Sequence, residues 1–236
     1  VHLYEARNIL GGQVVYASKG PYGEDELYGI IEWLKRQCEK AGVKFHMGTY
    51  VTPEIIEKEK PDTVVIATGV KFVVPKVPGS DLPHVVLAPD VLEGRGESGE
   101  RVVVWGGRGD GIIAALYLAT KGKKVTIITK DRKPGVDVNP SYIWRYMLKI
   151  SQAGGRVYRF ADIESIEEKR VIIKAAYGVR IPVPCDTVVV SLREPRNELV
   201  EAAKKLCSEV HVIGDALQPR RLHNAIHDGY RVGLRI

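Results

Sequence analysis

Six residues carry the sharpest chemical signal in this chain: Gly106-Gly107-Arg108-Gly109-Asp110-Gly111, lying between the apolar run Arg101–Trp105 and a helical pattern over Ile112–Lys121. A glycine-rich turn from strand to helix lets the backbone come close to a pyrophosphate, and the helix N-terminus aims its N–H groups at the charge. Neither register of G-x-G-x-x-G is complete. Counted from Gly106, the middle glycine is Arg108; counted from Gly107, the last is Ile112. A side chain at the middle position crowds a phosphate, whereas an arginine there brings a cation to it. A tight strand-to-helix turn that holds no ligand is the competing reading.

The strand expected over Lys124–Thr129 runs into Lys130-Asp131-Arg132-Lys133. An acid about twenty positions beyond the glycines would pair with the ribose hydroxyls of NAD, while Lys130 and Arg132 suit a 2′-phosphate. NADP(H) is therefore expected ahead of NAD(H), and a solvated basic loop is the alternative.

Other chemistries have little support. Cys38, Cys185 and Cys207 are isolated, with no C-x-x-C, so disulfide exchange, a zinc knot and an iron–sulfur cluster are not encoded, and three buried thiols are expected. His223 and His227 share a helical face, but no third ligand is spaced to join them, and no metal site is expected. No Ser/His/Asp or Cys/His motif supports hydrolysis.

The elements that must position these residues alternate between strand and helix. Val1–Tyr4, Val43–His46 and Thr63–Ala67 read as strands, with an amphipathic helix over Asp25–Ala41 and a capped helix start at Thr52-Pro53-Glu54. Pro75, Pro78, Gly79 and Pro83 make an irregular crossing, and Gly94, Gly96 and Gly99 suggest a boundary. Beyond it come the strand–turn–helix–strand unit, a helix around Tyr142–Ala153, β-like runs at Arg156–Phe160 and Arg170–Ala175, and the strand Asp186–Ser191. The run Glu209–Gly214 and a helix from Leu222 end the sequence. The class is α/β: two Rossmann-like dinucleotide-binding domains, one inserted in the other, with boundaries expected at 1–95, 96–192 and 193–236.

Composition agrees with a folded chain. Of 236 residues 44% are hydrophobic and 27% charged, enough to build a core. The formal charge of +6 is spread out, so nucleic acid is not an expected partner. No apolar run reaches the ~18 residues of a membrane span and no secretory signal is visible, so a soluble, cytoplasmic protein is expected.

Several motifs together resemble one family. Tyr4-Glu5-Ala6 with Leu10-Gly11-Gly12-Gln13, then Val65-Ile66-Ala67-Thr68-Gly69, Pro75-Lys76-Val77-Pro78-Gly79, Ile213-Gly214-Asp215-Ala216 and the tail from Pro219 to Gly229 are similar to the dinucleotide-binding region of the old-yellow-enzyme-like NADH:flavin oxidoreductases. That group includes 2,4-dienoyl-CoA reductase and trimethylamine dehydrogenase. The resemblance implies a pyridine nucleotide-disulfide oxidoreductase-like fold with FAD and NAD(P)H as cofactors. It places Glu5 on the flavin adenosine ribose, Gly12 and Gln13 in the turn after it, Val51 with its main chain at adenine, and Ala67, Thr68 and Gly69 beside the dinucleotide. Gly214 and Asp215 would meet the ribityl chain, and Gly106, Gly107, Arg108, Gly111, Lys130 and Arg132 the pyridine nucleotide.

The departures from that pattern matter equally. Family members precede the Glu5 strand with another strand and a G-x-G-x-x-G, and they carry an FMN barrel and a cysteine cluster; none of these is in the present sequence. The expectation is an incomplete FAD domain that passes hydride from NAD(P)H to FAD for onward transfer to a catalytic barrel or partner subunit, within an oligomer. The rival expectation is a non-catalytic or regulatory module that binds ADP or NADP(H).

Overall fold

The computed structural model describes residues 1–22 and 24–236. In chain order the strands are β1 (His2–Glu5), β2 (Lys44–Met47), β3 (Thr63–Ile66), β4 (Val70–Phe72), β5 (Val85–Leu87), β6 (Arg101–Trp105) and β7 (Lys124–Ile128). They continue as β8 (Arg156–Tyr158), β9 (Asp162–Glu167), β10 (Arg170–Lys174), β11 (Arg180–Pro184), β12 (Thr187–Val190), β13 (Arg193–Pro195) and β14 (Glu209–Val212). The helices are α1 (Gln13–Ala17), α2 (Tyr28–Lys40), α3 (Pro53–Glu59), α4 (Ala88–Leu92), α5 (Gly109–Thr120), α6 (Pro140–Gln152), α7 (Val200–Leu206) and α8 (Leu222–Gly233). Two compact units result. The first takes Val1–Val15, Glu26–Lys71 and Arg193–Ile236; the second takes Tyr16–Asp25 and Phe72–Leu192.

The second unit is built on a parallel sheet in the order β5-β12-β6-β7-β8. Its strands read as near-continuous apolar runs because both faces are covered. Val102, Val104, Val125 and Ile127 point to α4, α5 and α6, while Val103, Trp105, Ile128, Val188 and Val190 point the other way. That opposite face is closed by an antiparallel sheet, β11-β10-β9, through Ile163, Ile166, Val171, Ile173 and Val183. Helix α5 is apolar on nearly every side and accordingly buried from Ile112 to Leu116 and again at Leu118 and Ala119. Helix α6 starts where Asn139 Oδ1 accepts the Ser141 N–H at 2.9 Å, with Pro140 at its first position.

The first unit pairs β1 with β2 in parallel, His2 opposite Lys44, with α2 in the connection between them. A second parallel pair, β3 with β14, sets Thr63 opposite Glu209. Ile56, Ile66, Ala203 and Ala216 form its small core, on which Val51, Val64 and Val212 pack. Among the described residues, no helix is long and apolar enough to cross a membrane.

Two expectations shift in detail. Helix α5 begins at Gly109, so the end of the glycine turn is itself helical. Strands β9 and β11 were not anticipated, because Asp162–Glu167 and Arg180–Pro184 mix acids, prolines and an arginine with the few apolar residues that face the core.

Candidate functional site

In the second unit, β6 delivers the chain to Gly106, whose N–H donates to the Ile128 carbonyl at 2.9 Å. Three glycines are dictated by packing here. A Cβ on Gly106 would lie 2.9 Å from the Ser191 carbonyl oxygen, one on Gly107 2.7 Å from Thr129 Cβ, and one on Gly111 only 2.0 Å from the Gly106 carbonyl oxygen. Gly106 also has φ +119°, a conformation L side chains rarely adopt. The turn is thus held tightly between β6, β7 and α5, as a dinucleotide cradle requires.

Two features bear on whether a phosphate fits. Arg108, at the N-cap of α5, gives the helix no side-chain cap. Ser191 Oγ is buried with no hydrogen-bond partner among the described residues, 3.2 Å from the point a Gly111 Cβ would occupy. A buried hydroxyl left without a partner costs free energy that an incoming acceptor relieves. Both features fit an anionic group at the turn.

A chain carboxylate already reaches the same helix end: Asp137 Oδ1 accepts the Gly109 N–H at 2.9 Å. Gly135 N–H donates to the Gly107 carbonyl at 2.6 Å, so the loop after β7 lies along the glycine turn. Arg108, half-exposed, points its Nε toward Asp131 Oδ2 at 3.5 Å. Asp131 in turn accepts at 3.4 Å from the Thr129 hydroxyl. Lys130 pairs with Asp162 at 2.8 Å, whereas Arg132 and Lys133 are exposed and have no acidic partner among the described residues.

In the first unit, Glu5 sits at the end of β1 and accepts the Arg7 backbone N–H at 2.9 Å. Gly11 (φ +116°) and Gly12 (φ +52°) turn the chain into α1, whose first residue, Gln13, donates through Nε2 to Asp215 Oδ2 at 2.7 Å. Arg193 donates to the Gln13 side-chain oxygen and stands 3.8 Å from the same Asp215 carboxylate, both ionic groups nearly buried. Asp215 Oδ1 also accepts the Arg220 N–H at 2.8 Å. Beside it Gly214 (φ +59°) donates its N–H to Asp228 Oδ2 at 3.1 Å, and Arg220 pairs with Asp228.

Gln13, Gly214 and Asp215, far apart in sequence, thus converge on one polar network. Ala67 and Thr68 follow β3 at the surface; the Thr68 hydroxyl donates to the Arg196 carbonyl, and Arg196 N–H donates to the Gly69 carbonyl at 2.9 Å. Val51 packs on the small core. Sequence reasoning missed Arg193, Asp137 and Ser191. Each is a single polar residue with no motif around it, and only the fold brings it to its partners. His223 and His227 have ring centroids 4.2 Å apart, and no group of three or more metal-ligating side chains occurs among the described residues.

Comparison with known proteins agrees with this construction. The family described as pyridine nucleotide-disulphide oxidoreductase matches residues 56–229. A metal reductase of Desulforamulus reducens is 27% identical over the full chain, which spans 40% of that protein. An NADH oxidase of Thermoanaerobacter brockii is 31% identical, again over the full chain and 37% of the relative. Among solved structures, a 2-naphthoyl-CoA reductase complex superposes with a TM-score of 0.90 at 34% identity, covering all of this chain and 36% of that one. The chain therefore spans well under half the length of these relatives. The resemblance and the α/β dinucleotide-binding class read from the sequence are borne out, and the chain belongs to the pyridine nucleotide-disulphide oxidoreductase family.

Proposed function

We propose that this chain is the nucleotide-handling portion of a larger flavin-dependent oxidoreductase, in which NAD(P)H binds the second unit and FAD the first. The observation that carries the reading is the tight turn of Gly106, Gly107 and Gly111 into α5, with the unpartnered Ser191 hydroxyl beside it. When bound, a pyridine nucleotide supplies hydride and a flavin accepts it; the protein contributes orientation and electrostatics.

The residues divide that work. Gly106, Gly107 and Gly111 keep the backbone low enough for a pyrophosphate, and Arg108 offers it a cation. Lys130 and Arg132 face the adenosine end and favour a 2′-phosphate. In the first unit Glu5 accepts from ribose hydroxyls, Gly12, Ala67, Thr68 and Gly69 leave room for a dinucleotide, Val51 meets its adenine through main chain, and Gly214 with Asp215 hold the ribityl side. Gln13 and Arg193 are positioning residues that orient the Asp215 carboxylate. The relatives are more than twice as long, which supports onward electron transfer to a catalytic domain or partner subunit beyond these residues; that the assembly is oligomeric and cytoplasmic is part of the proposal.

A second reading is favoured by two observations: Arg108 stands where the pattern has glycine, and Asp137 already caps α5. In that reading the second unit is a regulatory module that takes ADP or NADP(H) weakly. The deciding experiment is an absorption spectrum of the purified chain followed by separate titrations with FAD and NADPH. Bound yellow flavin that bleaches on adding NADPH is the expected result; NADPH binding without flavin favours the regulatory module, and binding of neither removes both.

A further inference from the structure

Helix α8 has no buried residue along Leu222–Gly233, and its ties to the fold run through one side. Asp228 Oδ2 accepts the Gly214 N–H at 3.1 Å and pairs with Arg220, Asn224 Oδ1 accepts the Arg221 N–H at 3.3 Å, and Ala225 stands 3.3 Å from where a Gly214 Cβ would lie. Another side carries His223 and His227, one helical turn apart and both exposed. Their ring centroids are 4.2 Å apart with the planes tilted by 51°, so the rings are neighbours without stacking in parallel. Neither imidazole is hydrogen-bonded or ion-paired among the described residues.

Two free imidazoles at this spacing are a chelating pair. A metal held at about 2.0–2.1 Å from each nitrogen needs its donors about 3 Å apart, a spacing that rings with centroids 4.2 Å apart reach by turning about their own side-chain bonds. No third protein ligand is spaced to join them, and none is required: the pair fills two coordination positions and water the rest. The donors then select the metal. Asp228 is taken up by Gly214 and Arg220, so the set is nitrogen without carboxylate, and Mg²⁺ and Ca²⁺, which take oxygen ligands, find no site. Arg231 follows four positions after His227 and repels any cation, so only an ion with strong bonds to imidazole holds there. Cu²⁺ leads that order, ahead of Ni²⁺ and Zn²⁺.

We propose that His223 and His227 form a two-residue chelate site for a divalent transition metal, Cu²⁺ foremost, on the exposed side of α8. Bound there, the ion ties two successive turns of the helix together. The same turns carry Asn224 and Asp228, so the clip steadies the helix behind the Gly214–Asp215 turn. The site works independently of flavin or pyridine-nucleotide binding.

The test titrates the purified, untagged chain with CuCl₂ and, separately, with ZnCl₂ and MgCl₂ in a non-coordinating buffer, followed by calorimetry and, for copper, by electron paramagnetic resonance. A copper spectrum with two nitrogen ligands is expected, with Zn²⁺ bound more weakly and Mg²⁺ without effect. His223→Gln and His227→Gln should each weaken Cu²⁺ binding by about a hundredfold, because one lost nitrogen turns a chelate into a single bond. Without metal both variants should melt with the wild type, since neither ring has a partner to lose, and this separates loss of a ligand from misfolding. Added Cu²⁺ should raise the melting temperature of the wild type more than that of either variant. His2→Gln, which removes the imidazole paired with Glu59 beside the Val1 amino group, should leave the site intact. If His223→Gln and His227→Gln bind Cu²⁺ as tightly as the wild type does, or if His2→Gln alone abolishes binding, the metal sits elsewhere and the proposal falls. A wild type that binds neither Cu²⁺ nor Zn²⁺ overturns it as well.

Discussion

Gln13 and Asp215 are 202 positions apart, yet their side chains meet at 2.7 Å, the amide donating to the carboxylate. Arg193 holds both, bonded to the Gln13 oxygen and 3.8 Å from Asp215, with its side chain only 9% exposed. This network ties the glycine turn before α1 to the Gly-Asp turn after β14, and it presents the Asp215 carboxylate in one orientation. Removing the carboxylate leaves a guanidinium and an amide buried with a lost acceptor. Asp215→Ala should therefore destabilise the chain by about 3 kcal/mol, as breaking a buried ion pair does. Gln13→Ala should cost about 1 kcal/mol, as for one hydrogen bond. Urea unfolding of both variants checks this, and equal losses would show that Arg193 does not depend on Asp215.

The contrast between residues legible in the sequence and those that were not has a physical cause. Arg101–Trp105 and Lys124–Ile128 are apolar runs on either side of a glycine turn, and local pattern alone places them in a buried parallel sheet. Gly214 and Asp215 stand out through their motif. Arg193 and Ser191 do not, because their roles come from partners brought together by tertiary structure: the Gln13–Asp215 pair for one, the Gly106–Gly111 turn for the other. The antiparallel sheet was missed for a related reason. In β11 the sequence Arg180–Pro184 buries only Val183, so its periodicity is too weak to read without the neighbouring strand β10.

Asp137 sets up a competition at the helix end. Its carboxylate accepts the Gly109 N–H at 2.9 Å, where a phosphate oxygen of a nucleotide would also be drawn. Asp137→Asn keeps an acceptor but removes the charge, so NADPH affinity should rise by about three-fold, the size of one helix-end charge interaction. The melting temperature should fall slightly, since a negative charge near that terminus stabilises α5. Affinity that drops in this variant would instead show that Asp137 shapes the cradle for its ligand.

Asp186 gives a pH dependence with a definite sign. Arg101 donates to it through its side chain at 2.7 and 3.2 Å and through its backbone N–H at 3.0 Å. The Arg101 side chain, then its backbone N–H, hold the carboxyl well below the usual carboxylate range. Folding thus favours the ionised form. This contribution is complete above the unfolded value of about 3.9 and is lost as pH falls through the lower folded value. Asp186→Asn should melt below the wild type by a constant margin from neutral pH down to about 5, and the margin should close below about 4. Thermal melts at several pH values test this; a margin that persists at the acid end would assign the effect to the shape of the β6–β12 junction instead of to charge.

Cys185 lies next to that aspartate in sequence and behaves oppositely. It is fully buried, and desolvation first, then the Asp186 charge, push its thiol up to about 11. The thiolate is the reactive species, so at pH 8 this thiol stays protonated as well as covered. Cys207 is also buried, its Sγ 3.3 Å from the carbonyl oxygens of Pro61, Asp62 and Glu209, while Cys38 on α2 is partly accessible. Titration of the native chain with a thiol-specific disulfide reagent at pH 8 should therefore modify Cys38 rapidly and leave Cys185 untouched until denaturant is added. Cys38→Ser should abolish the fast phase. Rapid modification of Cys185 in the folded chain would mean that the sheet opens near β12 on the time scale of the reaction, and the packing of Val188 and Val190 against the antiparallel sheet would then be a dynamic contact.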